Sequence, residues 1–258
     1  MLNTAASRPF NLSRFRQQFR QCRLSRNDLV CAIGRYFLGV PYQKATLDSA
    51  SGEKLVVNMQ RLDCFTFVET VLALTLCVYR QKISRIDLHR QLQCIRYRKG
   101  IIDGYSSRLH YFTEWLRDNE HKKIIVDVSR QLGGLPRRKK INYMTSHRAA
   151  YRGLQDENEF KKMQLVEKSI SRKVFHFIGA TEANWQKEKI RNGDIIAFAA
   201  DQEGLDIAHV GFALRQEGKL RLLHASSKEG AVVISEKTLF AYLQTNKNFT
   251  SIAVARLL

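Results

Sequence analysis

From Phe65 to Tyr79 nearly every residue is apolar, and the run opens on Leu62-Asp63-Cys64. It falls short of the ~20 residues needed to cross a bilayer. A helix apolar nearly all round has no face suited to water, so it must lie at the centre of a shell built by the rest of the chain. Asp63 is suited to cap such a helix, which puts Cys64 at its first helical position. A thiol is thereby expected at the mouth of a buried helix.

The chain is long enough to supply that shell. It has 258 residues, 44% of them hydrophobic, and only three prolines (Pro9, Pro41, Pro136). With no repeat and no low-complexity linker, a single domain over residues 1–258 is expected. Within it, 1–38 reads as a basic amphipathic N-terminal helical segment and 39–258 as a catalytic core with a helical insertion at about 84–185. The five cysteines are an odd number, and none has Cys-x-x-Cys spacing. Cys77 and Cys94 fit buried small hydrophobes. The N-terminus lacks the basic start and apolar centre of a signal peptide. The net charge is +19, from 43 Lys and Arg against 24 Asp and Glu. Such a charge suits an anionic partner. No nucleic-acid-binding motif accompanies it, so nucleic acid is not the expected partner.

Residues 11–38 carry Leu12, Phe15, Phe19, Cys22, Val30, Ile33 and Phe37 at helical spacing, and the stretch is expected to stop before Pro41. Residues 84–185 look mainly helical and loop-like, with a turn at Gly133-Gly134. From Asp194 the period becomes that of strands: 194–199, 206–215, 219–225, 231–235 and 250–256. Turns fall at Glu203-Gly204, Glu217-Gly218 and Glu229-Gly230. The expected class is α+β, a helical part carrying Cys64 packed on a C-terminal antiparallel sheet or small barrel, with a cleft between.

Two strand-like segments each carry one histidine, Ala208-His209-Val210-Gly211 and Leu223-His224-Ala225-Ser226. If the hairpin turns at Glu217-Gly218, Gln216 faces Lys219 and Gly211 faces His224. His209, Gly211 and His224 then share one face. A nucleophilic cysteine first, histidine later and an orienting polar residue on the next strand is the order of a papain-like cysteine hydrolase. A helix N-terminus and a nearby imidazolium would both favour thiolate, so a depressed Cys64 pKa is expected. Taken singly, Cys64 suits a core cysteine, and His209 and His224 suit satisfied core or surface histidines. The other histidines show no pairing that suggests a metal site, and no cofactor is implied.

Gly39-Val40-Pro41-Tyr42, Asp63-Cys64, Gly193-Asp194-Ile195-Ile196, His209-Val210-Gly211 and His224-Ala225-Ser226 resemble the papain-like NlpC-type superfamily of bacterial cell-wall hydrolases. The segment Asp63-Cys64-Phe65-Thr66-Phe67-Val68-Glu69 is more similar to the N-acetylmuramoyl-L-alanine amidase-like branch. So are Arg108–Trp115, Leu132-Gly133-Gly134 and Ile141–Met144. The resemblance implies Cys64 as nucleophile, His209 as base and His224 as orienting residue. It also implies substrate contacts for Tyr42, Asp63, Arg108 and Tyr111. The implied partners are peptidoglycan or muropeptide substrate and an anionic wall surface. The implied location is the periplasm or cell envelope, by a route the N-terminus does not reveal; a cytoplasmic location stays open. Phe65 and Thr66 stand where the endopeptidases have Ser and Gly, which points away from γ-D-glutamyl endopeptidase specificity. Such an endopeptidase, an acyltransferase or effector with the same triad, and a basic wall- or nucleic-acid-binding module remain the alternatives.

Overall fold

The computed structural model describes residues 9–48, 52–179 and 187–258. Residues 1–8, on which most of the leader reading rests, and 180–185 at the end of the expected insertion lie outside the described residues. The elements run α1 (Leu12–Phe19), α2 (Arg26–Tyr36), α3 (Cys64–Tyr79), α4 (Arg85–Arg96), α5 (Phe112–His121), β1 (Ile125–Asp127), β2 (Leu135–Arg137), α6 (Tyr143–Ser146) and α7 (Glu157–Ser171). Then follow β3 (Phe175–Gly179), β4 (Ile195–Ala200), β5 (Ile207–Gln216), β6 (Lys219–Ser226), β7 (Ala231–Thr238), α8 (Leu239–Thr245) and β8 (Phe249–Leu257). The class is α+β, with an antiparallel sheet ordered β2-β3-β8-β4-β5-β6-β7 and β1 paired to β8.

The apolar run folds as its composition dictates. Every residue of α3 from Thr66 to Val78 is buried. One face of the sheet meets α3 through Val210, Phe212 and Leu223. The other face, with Ile196, Phe198, Leu222 and Val254, is covered by Leu239 and Leu243 of α8. Helices on both faces make β4 and β8 the middle of the molecule. Accordingly β4 is buried at all six positions.

The structure departs from the expectations in four respects. The stretch 11–38 is two helices, not one, because Ser25 starts a new helix by accepting the Asp28 N–H at 3.2 Å. Leu12 and Cys22 are only half-buried. The insertion, expected to be helix and loop, also adds β1, β2 and β3 to the sheet. Helix α8, capped by Thr238, adds an element between the last two strands that the strand pattern does not predict.

The register expected for the β5–β6 hairpin holds. Gln216 pairs with Lys219 and Phe212 with Leu223. Glu217 and Gly218 both take positive φ, 51° and 72°, as a tight two-residue hairpin requires. A bulge falls instead between β4 and β5, where Phe198 pairs with His209 but Ala199 with Ile207. The extra residue, Ala208, turns the strand just before His209.

Candidate active site

The mouth of α3 is fixed by Asp63. Its carboxylate accepts the Thr66 N–H at 2.7 Å and the Thr66 hydroxyl at 2.8 Å, and the Asp63 N–H donates back to Thr66 Oγ1 at 2.9 Å. This reciprocal cap leaves Cys64 at the first helical position, half-buried, with its N–H unused by the helix. Phe65 leaves the mouth on the other side and packs on Phe112 and Trp115, with ring centroids 6.1 and 5.6 Å away.

Tyr42 is brought to this mouth by backbone pairing. Its N–H donates to Gly230 O at 2.8 Å, and the Leu62 N–H donates to Pro41 O at 3.1 Å. The segment is thus stitched between the start of β7 and the residues leading into α3. Burial, helped by the nearby Cys64 and Asp63, pushes the Tyr42 pKa up to about 12.

His209 Nε2 and His224 Nδ1 are 2.7 Å apart. Gly211 makes this pairing fit, since a Cβ there would come within 2.8 Å of His224 Cβ. The rings meet edge to face at 84°, with centroids 4.8 Å apart. Phe198, Tyr242 and Phe249 close round His209 with centroids 6.0 to 6.2 Å away. Burial among these rings disfavours imidazolium, lowering His209 to about 4. His224 falls to about 3 through burial and the His209 charge. Both rings are therefore neutral at neutral pH, and one N–H is shared between them. With Nε2 of His209 engaged by His224, its Nδ1 is the nitrogen left for a third group.

Cys64 lies beside the next residue of β5. The N–H groups of Val210, Cys64 and Phe65 pull its pKa down, but burial and the Asp63 charge push harder, leaving it at about 12. This corrects the expected depressed value. The helix start does favour thiolate, but desolvation outweighs it, and a neutral His209 supplies no imidazolium. Among the described residues no hydrogen bond joins Cys64 to His209. The resting pair is a neutral thiol and a neutral imidazole. Tyr242 completes the group. Its ring lies 5.3 Å from that of His224, and burial, with a lesser contribution from Cys64, opposes its ionisation. The Leu239–Leu243 spacing behind the Thr238 cap is the sequence signal that points to α8, the helix that carries Tyr242.

The two residues expected from the insertion are engaged elsewhere. Arg108 is buried, ion-paired to Asp48 at 2.9 Å and to Glu53 at 3.5 Å. Tyr111 is 2% exposed. Its hydroxyl donates to Glu167 at 2.6 Å and accepts the Met144 N–H at 2.9 Å. With both roles satisfied inside the core, Tyr111 has no free group to offer a ligand. Asp194, from the Gly193-Asp194 motif, is likewise structural, held by both Arg256 Nε and Nη2 at 2.8 Å. Among the described residues no group of three or more His, Cys, Asp and Glu is placed to hold a metal ion.

Residues 32–251 match the model of the AmiA-like family, described as N-acetylmuramoyl-L-alanine amidase-like. The chain belongs to this family. It is therefore an enzyme of the hydrolase class. An N-acetylmuramoyl-L-alanine amidase from Bacteroides uniformis is 37% identical with a TM-score of 0.85, covering 90% of this chain and 98% of its own. A Bacteroides fragilis protein named provisionally as a xylanase is also 37% identical, with a TM-score of 0.82 and coverage of 88% and 100%. A Legionella pneumophila protein at 23% identity and TM-score 0.74, covering 95% and 94%, shares the fold. The comparison with curated proteins returned no match.

Proposed function

We propose that this chain is a papain-like cysteine amidase of the NlpC type, which cleaves the amide between N-acetylmuramic acid and L-alanine in peptidoglycan fragments. The observation that carries the reading is the 2.7 Å His209–His224 pair beside a thiol at a capped helix mouth. Neutral His224 accepts the Nε2–H of His209, which fixes the His209 tautomer with Nδ1 free to take a proton. As Cys64 Sγ attacks the lactyl carbonyl, its proton passes to His209. The oxyanion finds the Cys64 N–H at the helix start, where the partial positive charge of the helix also lies. His209 then returns the proton to the nitrogen of L-alanine, the C–N bond breaks, and a thioester remains on Cys64. Water, giving its proton to His209, releases the lactyl acid and the free thiol. Because both groups start neutral, proton transfer accompanies attack rather than preceding it.

The B. fragilis relative's provisional name suggests a glycosidase. That chemistry uses two carboxyl groups flanking the bond. Here the gathered groups are a thiol, two imidazoles and two phenols, and the nearby carboxylate, Asp63, serves as the helix cap. The test is acid quenching during turnover followed by intact mass. The expected result is a sugar-acyl adduct on wild type, located on the Cys64 peptide and absent in Cys64→Ala. Turnover in the Cys64→Ala protein would remove the proposal.

A further inference from the structure

A cavity of about 230 Å³ opens at the far ends of β2, β3, β4 and β8, and none of Tyr42, Asp63, Cys64, His209 and His224 lines it. Its walls are apolar, formed by Ile141, Ile170, Phe175 and Phe177. Its rim is cationic. Arg137 and Arg138 belong to the basic run that the proposed reaction does not use. Both are exposed, and among the described residues neither has an ion-pair or side-chain hydrogen-bond partner. The third cation is committed, since Lys139 Nζ donates to Ala200 O at 2.6 Å and Gln202 O at 2.8 Å. Of the two carboxyl residues that line the cavity, Asp201 and Asp206, the second is also committed. Asp206 accepts the N–H and hydroxyl of Thr113, both at 2.8 Å, and the Ile207 N–H at 2.7 Å. Beside the apolar contact inside, the mouth therefore carries two free guanidinium groups against a single uncommitted carboxylate, that of Asp201. It is smaller than the ~300–1,000 Å³ of sites for drug-sized ligands, so its occupant is about the size of one amino-acid residue.

We infer that this cavity is a second binding site, for a small apolar group ending in one carboxylate. Guanidinium pairs carboxylate through parallel N–H donors, so Arg137 and Arg138 hold the acid while its apolar part fills the walls. The inference stands independently of the Cys64 chemistry.

The experiment follows the methyl resonances of Ile141 and Ile170 in the full chain while N-acetyl-L-leucine, its neutral amide or hexanoate is added. N-acetyl-L-leucine should give saturable shifts, and the amide should bind about tenfold more weakly, as should the acid to Arg137→Ala/Arg138→Ala. Cys64→Ala should bind as wild type. Shifts with hexanoate as well would assign the site to short apolar acids in general, and their absence would assign it to a peptide terminus. Both results support the site. Equal binding of the amide, undiminished binding by the double arginine variant, or no saturable shift would overturn it. Ile170→Trp, which fills the cavity, should abolish the shift at Ile141. Persistence in a folded Ile170→Trp protein would also overturn the inference.

Discussion

Two polar pairs are buried near α3, and they are built in opposite ways. Glu69 and Arg96 meet at 2.7 Å with side chains 2% and 3% exposed, and Arg96 also donates to Val56 O at 2.6 Å. Burial lifts the Glu69 carboxyl while the Arg96 guanidinium beside it pulls it back. That pair is saturated from within and holds the helix to its neighbours. The pair His209–His224 has no opposite charge to offset burial, so both rings are kept neutral, and one nitrogen of His209 is left over. A compensated pair is structural, whereas an uncompensated neutral pair with a spare acceptor is equipped for proton transfer.

That difference can be broken experimentally. The largest effect is expected at the second pair's reaction partners. Cys64→Ser and His209→Ala should each lower kcat/KM by at least ~10³-fold while leaving the thermal midpoint near that of wild type. The reverse should hold at the first pair. Glu69→Gln strands a buried guanidinium and should cost about 3–5 kcal/mol in urea unfolding, with little change in activity per folded molecule. His224→Ala should lower kcat by roughly 10²-fold, because an orienting acceptor is lost while the base remains. Parity with wild type would make His224 merely structural.

The smallest effect, read per pH unit, is on stability. His209 and His224 bind protons more weakly folded, near 4 and 3, than at their ordinary value of 6.5. Between those values the unfolded chain holds more protons, so stability is fully present above about pH 6.5 and falls as pH drops towards 4 and below. The slope is at most about 1.4 kcal/mol per pH unit for each histidine. Urea midpoints across this range should flatten in His209→Asn/His224→Asn. An unchanged slope would mean that the rings are not held neutral. Alkylation of Cys64 in resting enzyme should accordingly be slow at neutral pH, read by iodoacetamide labelling and mass.

What the sequence revealed and what it hid have physical reasons. The Asp63 cap, the Glu217-Gly218 turn and the Gln216–Lys219 register rest on neighbours in the chain, so the pattern contained them. The three-residue strands β1 and β2 carry no readable period, and they exist because β8 and β3 offer them backbone partners. The aromatic pattern of β3 is only five residues long and sits shortly after the helical period of α7, which obscures it. Tyr111 matches a family segment, yet Glu167, its partner 56 residues later, determines that it is buried and satisfied. The Cys64 pKa differs from the sequence expectation for a similar reason. The favourable helix start is local and legible, while the burial that outweighs it depends on how distant segments pack.

The most direct test of the proposed site is product mass after digestion of sugar-linked and sugar-free stem peptides, beside a Cys64→Ala control. The predicted result is a free muramyl acid and an intact peptide beginning with L-alanine from the linked substrate, no cleavage of the sugar-free peptide, and no products from Cys64→Ala. Release of L-Ala-D-Glu from the sugar-free peptide would contradict the amidase assignment, and full activity in Cys64→Ala would contradict the cysteine chemistry itself.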